Sequence, residues 1–129
     1  MDDNNRSAAH AIILFAHGAR DSQWAEPFER IRDQIKRLRP EVQVVLAFLE
    51  LMEPDLPGCV ASLVQQGVRQ MTLVPLFMAQ GTHLKQDLPL LVKALQVDHP
   101  GVAIHVTPAI GESATLLTAI AAWVDQQTR

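Results

Sequence analysis

An apolar run that ends abruptly in a histidine constrains this chain more than any other feature of its sequence. Residues 11–16 are all apolar, and the segment His17-Gly18-Ala19-Arg20-Asp21 follows them directly. A continuous apolar run of this length, bounded by a turn signal, is typical of a buried strand in a parallel sheet. In open α/β sheets, ligands bind at the carboxyl ends of the strands. The sequence therefore places His17 where a ligand would bind.

Strands and helices alternate along the rest of the chain. Residues 42–49, 71–77 and 102–106 are predicted strands, and apolar residues recur at helical spacing between and after them. This alternation predicts an α/β fold, a three-layer α/β/α sandwich with a four-stranded parallel sheet and right-handed crossovers. We take the flavodoxin-like strand order 2-1-3-4, which places the first strand between the second and third. Residues 1–9 are predicted to be a flexible tail, and residues 10–129 a single domain.

Three local features complete the predicted arrangement. Pro75 lacks the amide that a central strand would donate, so we expect it near the end of its strand. Residues 78–87 are expected to form a loop that carries Gly81 and His83, with the next helix following from Leu88. The last helix is predicted from apolar residues at helical spacing, namely Leu116, Leu117, Ile120 and Val124.

Composition excludes several classes of function. A chain of 129 residues that is 48% apolar can build a core without a metal or a disulfide. Its net charge of −3 and scattered basic residues argue against a nucleic-acid surface. No apolar run approaches the roughly 20 residues of a membrane span. The single cysteine, Cys59, and a polar N-terminal segment without secretory character favour a reducing cytoplasm.

The loops that follow the first three strands carry the candidate site residues. Adjacent strands lie about 4.8 Å apart, so in this strand order His17, Glu50 and His83 would come within side-chain reach of one another. Two imidazoles and a carboxylate suit a divalent ion such as cobalt, iron, nickel or zinc. Three protein ligands would leave coordination positions open, as in a catalytic site.

Plainer interpretations of these residues remain open at this stage. Histidines in loops are often merely solvated, and Glu50 before Pro54 could be a loop or helix-start charge. Arg20 and Lys85 flank the histidines and are either surface charges or contacts for an anionic substrate. The other histidines are set aside by position: His10 in the tail, His99 in a turn, and His105 as a packed or edge strand residue.

Rival chemistries lack their required residues. Phosphoryl transfer in the manner of phosphoglycerate mutase needs an arginine directly before the His-Gly pair, where this chain has Ala16. No serine lies in a Gly-x-Ser-x-Gly elbow, and neither dinucleotide nor P-loop glycine patterns occur. Cys59 has apolar neighbours and is predicted to be a core residue, because reactive thiolates need exposure and nearby cations.

Three motifs in order resemble the small sirohydrochlorin chelatases of the class II chelatase superfamily. They are His17-Gly18-Ala19-Arg20-Asp21 after the first strand, Phe48-Leu49-Glu50 with Glu53-Pro54, and Val74-Pro75-Leu76-Phe77 with Gly81-Thr82-His83 and Asp87-Leu88-Pro89. With their helices they span about residues 11–125. Ala19 departs from the pattern, because the family usually has serine there. The change removes a hydroxyl but no metal ligand.

The resemblance implies an enzyme that inserts Co²⁺ or Fe²⁺ into sirohydrochlorin, for cobalamin or siroheme biosynthesis. It implies that His17 and His83 bind the incoming metal and assist proton removal, with Glu50 as a helper. Arg20, Lys85 and the backbone at Gly18 and Ala19 are candidate substrate contacts. The alternative is a non-catalytic metal or tetrapyrrole carrier that uses the same histidines.

The resemblance and the open crevice together predict a homodimer. The chain looks like one half of the longer two-domain chelatases, and one small domain would leave a flat tetrapyrrole open to water on one side. Candidate interface residues are those nearest the strand ends: Trp24, Phe48, Leu51, Met52, Phe77 and Met78.

Overall fold

Four parallel strands form one sheet in the order β2-β1-β3-β4. The computed structural model describes residues 10–129, so the predicted tail, residues 1–9, lies outside the described residues. The elements are β1 (His10–Ala16), α1 (Glu26–Leu38), β2 (Gln43–Phe48), α2 (Leu56–Gln65), β3 (Gln70–Pro75), α3 (Thr82–Asp98), β4 (Ala103–Val106) and α4 (Ala114–Gln127). Short 3₁₀ helices span Ser22–Ala25 and Ile110–Glu112. The predicted fold class and strand order are confirmed.

The central strand β1 is the most completely buried element of the sheet. It pairs in parallel with β2 on one side and with β3 on the other, and its residues from Ile13 to Ala16 are at most 2% exposed. Side chains alternate between the two faces of a strand, so a strand that is covered on both faces needs an unbroken apolar run. This arrangement explains why the sequence of β1 is continuously apolar.

The helices cover the two faces of the sheet unequally. On one face, α2 and α3 pack over a core that contains Ile13, Phe15, Leu63 and Leu73. On the other face, α1 packs over β1 and β2 through a smaller cluster. These layers make the predicted three-layer sandwich, although the layer on the α1 face is incomplete.

The helical layer on the α1 face does not cover β3 and β4. On this part of the sheet Thr72 and Val74 are only half-buried, and Ala103 and His105 are exposed. We call these four residues the open sheet face. The apolar stripe predicted for the last helix does form α4, but no residue of α4 is buried. Among the described elements, α4 packs substantially only against the preceding 3₁₀ helix.

Two sequence predictions at element boundaries are wrong. The segment 78–87 was expected to be a loop, yet α3 begins at Thr82, so His83 and Lys85 are helical residues. Pro89 lies inside α3, which shows that the helix tolerates a proline that cannot donate a backbone hydrogen bond. His10 was assigned to the tail, but it is the first residue of β1 and its Nε2 lies 3.2 Å from Thr72 Oγ1.

One side chain of α3 occupies two backbone groups at the outer edge of β4. Gln96 of α3 accepts a hydrogen bond from the Ile104 amide at 2.9 Å through its Oε1 atom, and its Nε2 donates to the Val102 carbonyl. His105 is exposed on this strand, in agreement with the edge position considered for it.

Between residues 10 and 129, no helix is both long enough and apolar enough to cross a bilayer.

Candidate metal and substrate site

The loops that follow β1 and β2 are joined beyond the ends of the strands. The Leu49 amide donates to the Ala16 carbonyl at 2.8 Å, and the Glu50 amide donates to the His17 carbonyl at 3.0 Å. Backbone hydrogen bonds between the two segments therefore continue for two residues past the end of β2. This continuation brings the backbones of His17 and Glu50 side by side at the carboxyl edge of the sheet.

Gly18 makes this close approach possible. Its φ is +96°, and a Cβ built on it would lie 1.8 Å from the Glu50 carbonyl oxygen. A side chain at this position would both strain the backbone and collide with the neighbouring loop. From the sequence, Gly18 was predicted only as a candidate substrate contact. The glycine directly after a strand-end histidine was the available signal for a backbone role.

His17 and Glu50 meet through their side chains as well as their backbones. His17 Nε2 lies 3.5 Å from Glu50 Oε1, and each side chain is 55% exposed. The pair is an ion pair only when the imidazole is protonated. With a neutral imidazole, the nitrogen and the carboxylate oxygens are two metal-ligating groups open to solvent.

Phe77, in the segment after β3, supports the His17 ring from the other side. The two ring centroids lie 6.4 Å apart with an interplanar angle of 78°, and Phe77 makes a similar edge contact with Phe15 at 5.8 Å. Phe77 itself is 8% exposed. From the sequence, Phe77 was a motif residue and a candidate for the dimer interface, but was not predicted to support the histidine. The contact depends on β3 lying next to β1, which sequence alone does not fix.

The loop that carries Glu50 is closed on itself. The Phe48 amide donates to the Pro54 carbonyl at 2.9 Å, and Asp55 caps α2 by accepting from the Gly58 amide at 2.8 Å. Residues 49–55 and Gly58 line an open hollow of about 820 Å³. Glu50 therefore lies between the histidine and a solvent-filled space that is large enough to admit a hydrated ion.

His83 lies in the first turn of α3 and is exposed. Within residues 10–129, no three side chains of His, Cys, Asp or Glu are grouped so that they could hold one metal ion. The structure thus brings together His17 and Glu50, and does not place His83 with them in a single three-residue cluster. That cluster was predicted from a loop position for His83, but α3 begins at Thr82 and includes His83.

The candidate substrate contacts are spread along the same edge. Ala19 is half-buried and Arg20 is exposed in the loop after β1. Lys85 lines a hollow of about 410 Å³ together with Leu88, Pro108 and Glu112, between α3 and the segment after β4. Lys85 is therefore associated with the β4 side of the edge, and Arg20 with the β1 side.

Cys59 takes no part in this site. It lies in α2, is 4% exposed, and packs in the core under α2 and α3. Burial raises its pKa to about 11, so the thiol stays protonated at neutral pH. The prediction that Cys59 is a core residue and not a nucleophile is confirmed by its burial.

The fold and the site define a class of protein. It is an α/β protein of flavodoxin-like strand order with a histidine and a carboxylate exposed together at the carboxyl edge of its sheet. A family model described as CbiX matches residues 11–127, nearly the whole chain. The chain belongs to the CbiX family.

Individual relatives agree with this membership. A sirohydrochlorin cobaltochelatase from Methanocaldococcus jannaschii is 28% identical over 89 residues, which are 69% of this chain and 62% of that protein. The crystal structure of a CbiX protein from Marinobacter aquaeolei VT8, named for cobalamin (vitamin B12) biosynthesis, is 38% identical with a TM-score of 0.80. That match covers 92% of this chain and 96% of the other.

A longer protein shares the fold over part of its length. The sirohydrochlorin chelatase SirB from Bacillus subtilis, solved in complex with cobalt, has a TM-score of 0.75 at 24% identity, over 91% of this chain and 50% of SirB. SirB has also been solved with Fe³⁺, a match at 25% identity with a TM-score of 0.76, over 93% of this chain and 48% of SirB. The matches to the first curated relatives span about three fifths of the length of those proteins.

Proposed function

We propose that this chain is a sirohydrochlorin chelatase, a lyase-type enzyme that inserts a divalent metal into a tetrapyrrole. The observation that carries the proposal is the pairing of His17 with Glu50 at the carboxyl edge of the sheet, with 3.5 Å between Nε2 and Oε1. The CbiX family model matches residues 11–127 of this chain, and this membership supports the same reaction. The names of the relatives also support it.

His17 supplies the chemistry that metal insertion requires. The metal must lose water, and two pyrrole N–H protons must leave the macrocycle. A neutral imidazole can ligate the ion or accept a proton at neutral pH, and a carboxylate beside it stabilises the imidazolium once it forms. In this proposal, His17 takes up one proton at Nε2 and Glu50 holds the resulting charge. The metal is a substrate here, so its site must release it.

A weak site serves this purpose better than a strong one. Two exposed side chains, His17 and Glu50, offer fewer ligands than a structural metal site, which is closed by four. We propose His83 as the second histidine that binds the ion and assists proton removal. Its exposed position on α3 leaves the side chain free to join the metal when substrate fills the crevice.

The substrate contacts proposed for the carboxylates of sirohydrochlorin are Arg20 and Lys85, with the backbone at Gly18 and Ala19. Guanidinium and ammonium groups bind carboxylates through charge-assisted hydrogen bonds. Arg20 and Lys85 lie toward opposite ends of the edge, which suits a wide, flat ligand with acidic groups around its rim. We propose Co²⁺ or Fe²⁺ as the metal, which places the reaction in cobalamin or siroheme biosynthesis. Imidazole and carboxylate also accept nickel and zinc.

We further propose that the enzyme works as a cytoplasmic homodimer. The crevice has a floor but no facing wall, and ligand sites usually bury most of their ligand. The match to half of SirB supports pairing of two such units. Of the strand-end candidates for the interface, Leu51 and Met78 are 58% and 54% exposed, while Phe48 and Phe77 are buried. A single buried, protonated cysteine is compatible with the reducing cytoplasm.

One experiment tests the proposed reaction against the carrier alternative. The protein is mixed with excess sirohydrochlorin and each divalent ion in turn, and the absorbance change is followed above the uncatalysed rate. An enzyme yields many metallated products per chain, and a carrier yields at most one. A rate equal to that without protein for every ion would refute the chelatase.

A further inference from the structure

Leu51, in the loop after β2, has a backbone conformation that leucine rarely adopts. Its φ is +66°, and among residues 10–129 it is the only residue other than glycine with a positive φ. The left-handed region is sterically unfavourable for residues with a Cβ, whereas glycine avoids this cost and asparagine or aspartate reduce it through local hydrogen bonds. The turn itself would therefore form more easily with one of those three residue types.

The chain must turn at this position because both ends of the loop are fixed. On one side the Glu50 amide donates to the His17 carbonyl at 3.0 Å, and on the other side the Phe48 amide donates to the Pro54 carbonyl at 2.9 Å. Only residues 51–53 remain to reverse the chain between these two hydrogen bonds. The left-handed turn directly after Glu50 is therefore imposed by the loop that holds this carboxylate next to His17.

The side chain of Leu51 is as unusual as its backbone. It is 58% exposed, and it belongs to neither of the two hydrophobic clusters that form the core of residues 10–129. A leucine in this position gains little from burial within its own chain, and its backbone conformation lowers stability. A residue that is unfavourable for the fold in both respects indicates a role outside the fold.

Leu51 lies beside the metal-ligating pair. It directly follows Glu50, whose Oε1 atom lies 3.5 Å from His17 Nε2, and Glu50 and Leu51 both line the open hollow of about 820 Å³. Met78, which is 54% exposed, instead lines a separate hollow of about 230 Å³ together with Lys85. Of the large apolar residues described around the hollow beside the pair, only Leu51 is strongly exposed.

The proposed substrate has two kinds of surface that need different partners. Its carboxylates lie around the rim, and Arg20 and Lys85 are the cations proposed to bind them. The faces of a conjugated macrocycle are apolar, so their removal from water needs an apolar side chain. The substrate contacts named under the proposed function are charged side chains and backbone groups, and none of them serves a face of the ring.

We propose that the Leu51 side chain packs on one face of the tetrapyrrole and determines its affinity. This inference rests on the proposed function, and it adds a contact to the macrocycle that is separate from metal binding and proton transfer. Consecutive residues then have different roles: Glu50 pairs with His17, and Leu51 contacts the ring. A packing contact that is equally strong in the bound substrate and in the transition state lowers KM without changing kcat.

A binding titration with metal-free sirohydrochlorin tests the contact directly. Leu51→Asn keeps the approximate size of the side chain, suits a left-handed backbone and removes the apolar character. Its dissociation constant for sirohydrochlorin should rise about five- to thirtyfold, which corresponds to the apolar area of one leucine. Its denaturation midpoint should stay the same or rise. Leu51→Met keeps an apolar contact and should bind within about twofold of the unaltered protein.

Steady-state kinetics and a matched control separate this role from others. In the insertion assay, Leu51→Asn should raise the KM for sirohydrochlorin and leave kcat and the KM for the metal nearly unchanged. Leu38→Asn is the control, because Leu38 is a 78% exposed leucine at the end of α1, at the opposite edge of the sheet. It should bind sirohydrochlorin as tightly as the unaltered protein. Sedimentation of each variant reports whether its mass changes.

Several results would overturn the contact. Leu51→Asn that binds sirohydrochlorin as tightly as the unaltered protein would remove Leu51 from the substrate site and leave the proposed reaction intact. A lower kcat with unchanged affinity would mean that Leu51 acts through Glu50 and not on the ring. A lower denaturation midpoint would make Leu51 a structural residue, and a changed mass together with weaker binding would make a second copy its partner.

The titration also separates this inference from the proposed function. It contains no metal, so it measures the contact independently of turnover. Sirohydrochlorin that binds the unaltered protein but is never metallated would refute the proposed reaction, and the comparison of Leu51→Asn with Leu51→Met would still decide the role of Leu51.

Discussion

Gly18 packs directly against the carbonyl of Glu50, at a distance where no other residue fits. A Cβ on Gly18 would lie 1.8 Å from that oxygen, and its φ of +96° is unfavourable for residues with side chains. We expect Gly18→Ala to force the two loops apart and to reduce metal insertion at least tenfold. Backbone strain alone costs about 1–3 kcal/mol, so the free energy of unfolding should fall by at least this amount. Chemical denaturation and the insertion assay measure the two effects.

Gly67→Ala separates strain from collision. Gly67 also has a positive φ, +90°, but a Cβ there would have no atom within 4 Å. It should therefore lower the free energy of unfolding while leaving insertion unchanged. Equal activity losses in the two variants would show that the Gly18 contact does not shape the site.

The histidines and the carboxylate should differ in how much activity they supply. His17→Ala and His83→Ala should each lose nearly all metal insertion, about 10²–10⁴-fold for a group that ligates metal and moves protons. Glu50→Gln keeps the shape and removes the charge, so its loss should be smaller. All three side chains are exposed, and thermal unfolding should remain close to that of the unaltered protein.

A histidine remote from the site provides the control for that series. His105→Ala alters an exposed imidazole on β4, away from the His17–Glu50 pair, and should insert metal at the rate of the unaltered protein. Full activity in His17→Ala or in His83→Ala would remove that residue from the mechanism.

Phe77 should affect the rate through the position of the His17 ring. Phe77→Leu keeps an apolar side chain in the core and removes the edge contact, 6.4 Å between ring centroids. Aromatic contacts contribute about 0.5–1.5 kcal/mol, so a rate loss of roughly two- to tenfold is expected, with a raised KM for the metal. Phe28→Leu removes a comparable contact, with Trp24 at 4.7 Å, and is the matched control. If both variants lose the same activity, the effect is one of stability.

Cys59 should influence stability at high pH and not activity. Burial raises its pKa from 9.0 to about 11, so the unfolded chain ionises before the folded one. The free energy of unfolding should therefore lose this contribution as the pH rises from about 9 to 11, and should keep it below pH 9. Cys59→Ser should lack this part of the pH dependence and be about 1–3 kcal/mol less stable, because it buries a hydroxyl. Denaturation curves across this pH range compare the two proteins, and loss of insertion in a folded Cys59→Ser would contradict the assignment.

The strands were predictable because their signal is local. The unbroken apolar run of β1 follows from burial on both faces, and Pro75 lies at the end of β3, where its missing amide does no harm. The order of the strands in the sheet cannot be derived from local sequence, because it depends on which strands pair. The prediction took this order from the flavodoxin-like fold. The edge contact between Phe77 and His17 depends on that order, so it could not be seen in the sequence.

The sequence predictions were weakest where tertiary contacts decide the outcome. The start of α3 at Thr82 was missed because Thr82, His83 and Lys85 in its first turn are polar and exposed, and the earlier start moved His83 from a loop to a helix. The signal was Leu84, which lies four residues before Leu88 and packs against the core. The apolar spacing of α4 correctly predicted a helix. Spacing shows that a helix has an apolar side, but not which surface covers that side.

The hydrogen bonds that Gln96 makes to β4 determine how the sheet can meet its neighbours. Strand edges with free amides and carbonyls act as templates for other chains, and proteins that expose them are prone to form fibres. Here the Ile104 amide and the Val102 carbonyl are already occupied by one side chain from α3. These two groups are therefore not free to pair with a strand of another molecule, which hinders edge-to-edge polymerisation along β4.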